Sequence, residues 1–124
     1  IVDGYRFLMK HYRPGDRVCM FGFSRGAYAA RCLAGMLNKV GLLPPDNDQM
    51  VASAYERYLD TSSDGKELAK DFKEQLGRHC PIEFLGLWDT VSSVGLITSR
   101  HLPFSASNSA VKTIRHALAL DERR

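Results

Sequence analysis

The sequence has no run near the roughly 18 consecutive apolar residues that a membrane-spanning helix needs. Its opening stretch also lacks the charged, apolar and cleavage regions of a signal peptide. Cysteine is scarce: Cys19, Cys32 and Cys80 form an odd set without metal-type pair spacing, and Cys19 and Cys32 fall inside apolar runs, where cysteine acts as a small hydrophobe. That usage points to a reducing compartment, the cytoplasm. No cluster of His, Cys and carboxylate residues has ligand spacing, so neither a metal nor a cofactor is assigned. There is no stripe of basic residues interleaved with aromatics, which excludes the usual footprint of nucleic-acid binding. Internal repeats, low-complexity tracts and long linkers are absent too, leaving one compact unit as the expectation.

What is there is ordinary globular material. Hydrophobic residues make up 44% and charged residues 25%, a balance that excludes a disordered or fibrous chain. The net charge of +3 is spread along the sequence and favours an anionic surface only weakly, so contact with a membrane surface stays open and the oligomeric state is not specified. The sequence opens at Ile1 and stops in the charged run Asp121-Glu122-Arg123-Arg124, and both ends read as cut.

Helical spacing of Tyr5, Leu8, Met9 and Tyr12 predicts a helix over Val2 to Tyr12, stopped by Pro14-Gly15-Asp16. Arg17 to Phe23 is a short, continuous apolar run of the kind expected for a parallel strand covered on both faces. After Gly22 to Gly26, the helical period resumes over Ala27 to Val40, and Gly41 and Pro44-Pro45 end it. A further helix is predicted from Asp48, as its cap, to Leu59, and another from Lys66 to Leu76. Ile82 to Trp88 reads as a second buried strand, which makes strand, helices and strand a parallel crossover. Ser92 to Ser109 reads as a long loop. Val111 to Leu120 fits both a helical face and a strand face, and period alone does not choose between them. The fold class is α/β.

Gly22-Phe23-Ser24-Arg25-Gly26 matches the Gly-x-Ser-x-Gly pattern, which arises by chance in roughly one chain of this length in twenty-five. Its context is more selective: the pattern directly follows a predicted strand and directly opens a predicted helix, as a nucleophile elbow requires. Glycines at 22 and 26 would let strand and helix approach without a Cβ clash. Ser24 would then project at the carboxyl edge of the sheet and the amino end of a helix, where developing negative charge is favoured. The backbone N–H of Arg25 is the predicted first donor of an oxyanion hole, while its side chain is expected in a structural ion pair. The competing reading is that Ser24 merely caps the helix after it.

In such a site the acid follows the serine in sequence, just past the carboxyl end of a later parallel strand, and Asp89 meets both conditions, though it could instead cap a turn. The base is harder to place. His11 and His79 precede Asp89 and read as surface residues, His101 lies in the loop after it, and His116 sits in an apolar stretch that suits a packing histidine.

Several segments, taken together, resemble one family. They are Tyr12-Arg13-Pro14-Gly15-Asp16, Gly22-Phe23-Ser24-Arg25-Gly26-Ala27-Tyr28-Ala29-Ala30-Arg31, Gly41-Leu42-Leu43, Phe84-Leu85-Gly86-Leu87-Trp88-Asp89-Thr90-Val91 and the run from Arg115 to Arg123. The chain resembles the uncharacterised α/β-hydrolase domain family that includes phospholipase effectors of bacterial type VI secretion and fungal hypothetical proteins. The resemblance implies a serine hydrolase acting on carboxylic esters, with lipid or phospholipid esters as substrates. It matches Ser24 to the family nucleophile and Asp89 to the aspartate that ends the second strand. The family's histidine stretch, Gly-x-His-Ser-Asp-x-Gly-Gly, has no counterpart here, and neither has its amino-terminal strand with Asp-Gly-Thr. Residues 1–124 therefore read as the central portion of a partial α/β-hydrolase fold. Two readings follow: an ester hydrolase working through an acyl-enzyme, or acyl transferase on the same chemistry, whose histidine lies outside this chain, and an inactive fragment or degenerate domain with a binding role.

Overall fold

A computed structural model describes residues 1–88, 109–118 and 120. The order of elements is α1 (Val2–His11), β1 (Val18–Phe23), α2 (Arg25–Val40), a single 3₁₀ turn over Asp48–Met50, α3 (Val51–Leu59), α4 (Ser63–Leu76), β2 (Ile82–Trp88) and β3 (Val111–Ala117). The three strands form one parallel sheet in the order β1-β2-β3. The ambiguous segment from Val111 is thus a strand, in register with β2 from Ile82↔Val111 to Trp88↔Ala117.

The helices all lie toward one side of this sheet, with α2 between the strands and α3 and α4. Ala27, Cys32, Ala34, Met36 and Val40 of α2 are fully buried, as are Ile82, Val51, Ala54 and Tyr58 around it. The polar joints are equally specific. The hydroxyl of Tyr5 donates to the Gly41 carbonyl (2.8 Å) and accepts from the Leu43 N–H (3.0 Å), which ties α1 to the chain leaving α2. Burial pushes that phenol up to about 12. The Arg78 guanidinium donates to the carbonyls of Met9, Tyr12 and Leu43, closing carbonyls at the end of α1 that have no partner within the helix.

Four expectations need correction. β1 is not covered on both faces: its exposure alternates, with Cys19, Phe21 and Phe23 open and Val18, Met20 and Gly22 turned toward the helices. Cys19 is accordingly exposed, and the buried cysteines are Cys32 and Cys80. Asp48 does not cap α3 but opens the 3₁₀ turn, and its carboxylate pairs with Arg6 at 3.0 Å. α4 begins three residues before Lys66, because the Ser62 side chain accepts from Gly65 N–H and supplies the cap. A Cβ on Gly65 would lie 2.2 Å from the Asp60 carboxylate carbon, so that side chain would have to move to admit one.

The glycines of the serine motif are also unequal. A Cβ on Gly22 would lie 2.5 Å from the Gly26 carbonyl oxygen and 2.6 Å from the Ala27 backbone, so strand and helix meet there with no room to spare. A Cβ on Gly26 would meet nothing within 4 Å, contrary to the clash expected of it. Gly22→Ala should therefore lower the urea-unfolding free energy by about 3 kcal/mol, as overpacking against backbone does. Gly26→Ala, inside a helix, should leave it unchanged or raise it by up to about 1 kcal/mol.

A pH dependence follows from the turn before α4. The Asp60 carboxylate accepts from the Ser62 hydroxyl (2.7 Å) and the Ser62 N–H (3.0 Å), and these bonds hold its pKa below the ordinary carboxylate value. A depressed folded pKa gives a stabilisation that is present above the unfolded pKa and is lost as pH falls through the folded one. Asp60→Asn should lower stability near neutrality and flatten its loss below about pH 4, where variant and parent converge, as read from urea midpoints across that range.

Candidate functional site

Ser24 is the turn between β1 and α2. Its backbone sits at φ 52° and ψ −118°, and it is the one non-glycine residue with positive φ among those described. This conformation is costly for a residue with a Cβ and persists only where the surroundings impose it. Two hydrogen bonds do so. The Ser24 N–H donates to the Trp88 carbonyl at the end of β2 (2.8 Å), and the Ser24 carbonyl accepts from the Tyr28 N–H (3.2 Å), which starts α2. With Gly22 pressed against the helix backbone, strand end and helix start are held on both sides of the serine.

The capping alternative does not describe this geometry. The Ser24 side chain makes no capping hydrogen bond to α2, and its φ and ψ lie far from the extended conformation of an ordinary N-cap. Ser24 is half-buried and follows the last residue of β1, at the carboxyl edge of the sheet. Arg25 is the first residue of α2, where backbone N–H groups have no acceptor within the helix. No acidic residue lies in the first turn of α2 to neutralise that end. The Arg25 side chain is exposed and, contrary to expectation, enters none of the ion pairs among the described residues.

Residues 89–108, which include Asp89, His101 and all but the last residue of the loop predicted over Ser92 to Ser109, fall outside the described residues. The Trp88 carbonyl that receives the Ser24 N–H belongs to the residue before Asp89 in the sequence. The described histidines have other surroundings. His11 lies beside the Phe7 ring with centroids 4.6 Å apart, His79 is exposed in the connection before β2, and His116 Nδ1 is 3.1 Å from Arg31 Nη2 of α2. Because a guanidinium can only donate, His116 accepts through Nδ1 in this contact, the arrangement of a satisfied packing histidine.

Sequence reasoning passed over an aromatic face beside the serine. Phe21 packs on Phe84 (centroids 5.7 Å apart) and stacks on Trp88 (6.3 Å), with Phe23 and Trp88 paired across the last rung before the turn. Phe23 is 68% and Trp88 47% exposed. The alternation of aromatics at 21 and 23, and at 84 and 88, was the available signal. A hollow of about 270 Å³ opens at the carboxyl half of β2 and β3 between Phe84, Trp88, Arg115 and Ala117. A larger cavity, about 490 Å³, lies instead along α1 and the first half of β1, bordered by Phe7, His11, Val18 and Met20, and does not touch Ser24. Among the described residues no three His, Cys, Asp or Glu side chains are grouped to hold a metal ion, and no helix is long and apolar enough to cross a membrane.

Comparison with known proteins gives two matches. The model of a family described as the catalytic domain of T6SS (type VI secretion) Tle1-like phospholipase effectors matches residues 1–124, the whole chain. The chain is also 42% identical over 134 residues to the uncharacterized protein YEL023C of Saccharomyces cerevisiae, with all of this chain and 20% of that protein covered. It thus spans one fifth of the curated relative that it matches. No solved structure matches. A strand, a strained serine and a helix in direct succession, within a match that runs from the first residue to the last, place this chain in the family of Tle1-like phospholipase effector catalytic domains.

Proposed function

We propose that the chain supplies the nucleophile segment of a serine hydrolase of α/β-hydrolase fold that cleaves carboxylic esters of lipids or phospholipids. The observation that carries this reading is the backbone of Ser24, strained at φ 52° between a parallel strand and a helix with its side chain uncommitted to capping. Family membership supports the substrate class, because the matched domain is that of a phospholipase effector.

In this mechanism the Ser24 hydroxyl gives its proton to a histidine and its oxygen attacks the ester carbonyl carbon. The carbonyl oxygen becomes an oxyanion in front of the first turn of α2, where the Arg25 N–H donates to it. The histidine returns the proton to the leaving alcohol, and the acyl-Ser24 ester is then cleaved by water activated by the same base. Asp89 orients that histidine and stabilises its protonated form. The base is assigned outside the described residues, either at His101 or beyond this chain, because His11, His79 and His116 are placed as described above. The strained turn serves the chemistry by holding the nucleophile rigid, so little ordering remains to be done when substrate arrives.

Exposure of the full-length protein to a fluorophosphonate probe should label Ser24, located by peptide mass spectrometry, and Ser24→Ala should abolish the adduct. On a phospholipid or a short-chain ester, Ser24→Ala should lower kcat by about 10³-fold or more and Asp89→Asn by about 10³-fold to 10⁴-fold. Arg25→Ala, which keeps the backbone N–H, should stay within about tenfold of the parent. Absence of labelling in a folded protein would reject the hydrolase reading in favour of a binding role for the domain.

A further inference from the structure

At the far end of α2 from Ser24, four lysines converge on one hollow. Lys66, Lys70 and Lys73 repeat at helical spacing along α4 and, with Asn38 and Lys39 of α2, line a cavity of about 360 Å³. Such a grouping costs free energy through like-charge repulsion unless something offsets it.

The surrounding protein offsets it only in part. Lys39, 9% exposed, donates to the carbonyls of Tyr58 (3.0 Å) and Asp60, which are neutral acceptors at the end of α3. Lys73 likewise donates to the Asn38 carbonyl (2.7 Å). Among the carboxylates of α4 and the turn before it, Glu74 lies 4.0 Å from Lys70 and Asp60 is engaged by Ser62. Lys66 takes part in none of these bonds; burial chiefly lowers the pKa of Lys39, Asp60 opposes that shift, and Lys66 adds to it. Four lysines therefore line the hollow and no carboxylate does. The Asn38 side-chain oxygen accepts from Ser109 (3.4 Å), leaving its NH₂ as a further donor.

We propose that this hollow is a binding site for a phosphate-bearing anion, held by Lys66 and Lys70 with Lys39, Lys73 and the Asn38 amide around it. The ligand chemistry is a phosphate monoester or inorganic phosphate: a compact anion carrying close to two charges that accepts from several donors at once and matches the excess of positive charge. It is not the phosphate of the ester under attack. Lys39 follows Arg25 by fourteen residues along α2, about 21 Å of helix, and lies toward the opposite edge of the sheet. The site is thus a second, separate point of contact for either a soluble phosphate or an anionic lipid headgroup.

Titration of the full-length protein with inorganic phosphate, followed calorimetrically at constant ionic strength with chloride as the control anion, tests the assignment. Saturable binding is expected, weakened at least tenfold in the double variant Lys66→Gln, Lys70→Gln. These side chains are solvent-exposed, and an unchanged thermal midpoint without phosphate confirms that the variant folds. Flotation with phosphatidylcholine vesicles, with and without phosphatidic acid, distinguishes the two sources. Retention on phosphatidic acid vesicles that is lost in the double variant identifies a headgroup site, and phosphate binding without retention identifies a soluble ligand. Phosphate and chloride giving the same response, or equal phosphate affinity in parent and double variant, would overturn the proposal.

Discussion

The contact between Gly22 and the backbone of Gly26 and Ala27 is the constraint on which the rest of the molecule depends. It lets a parallel strand turn into a helix within one residue and lays that helix back across the strands it came from. Every other helix then packs on α2 or on a neighbour of α2, and β2 and β3 extend the sheet beneath it. Any side chain at 22 would push α2 away, loosening the layer that buries Ala27, Cys32 and Met36. The same closeness fixes the two ends of the turn that the Trp88 carbonyl and the Tyr28 N–H complete, so the geometry of the candidate nucleophile is tied to the integrity of the core.

Much of this was legible in the sequence where the signal was local. The apolar run from Ile82 to Trp88 became a strand with those bounds, and helical spacing at Tyr5, Leu8 and Met9 marked the buried face of α1. Ser24 could be singled out because both its neighbours in structure are its neighbours in sequence. What escaped depends on partners far along the chain. Whether Val111 to Ala117 is a strand is decided by β2, with which it is in register, and the bare face of β1 is decided by which side the helices take. Asp48 was read as a cap because its residue type suits one, but Arg6, forty-two positions earlier, engages its carboxylate. The start of α4 at Ser63 rather than Lys66 likewise depends on a side-chain cap from Ser62.

The buried polar joints were equally invisible to hydrophobic patterning. Tyr5, Arg78 and Lys39 each direct donors at carbonyls at or just beyond helix ends, so ends that would otherwise carry unsatisfied groups into the interior are closed by side chains from elsewhere. Arg31 does similar work between layers, joining α2 to β3 through His116. In sequence Arg78, Lys39 and Arg31 read as surface-type residues and the Tyr5 ring as plain apolar surface, and their polar roles appear only when the elements are assembled.

The parallel pairing of β1 with β2 also governs the order in which the molecule can be built. Val18 and Ile82 are neighbours in the sheet but sixty-four positions apart in the chain, with α2, α3 and α4 between them. Closing a loop of that size carries a conformational cost that the shorter-range helix contacts do not, and topologies dominated by such pairings fold slowly. The helices can therefore associate before the strands meet. Until the end of β2 arrives, the Ser24 N–H lacks the Trp88 carbonyl that restrains it, and the serine is free to relax. On this ordering the strained turn is installed late in folding, and a nascent chain that has made only its first half carries an ordinary serine.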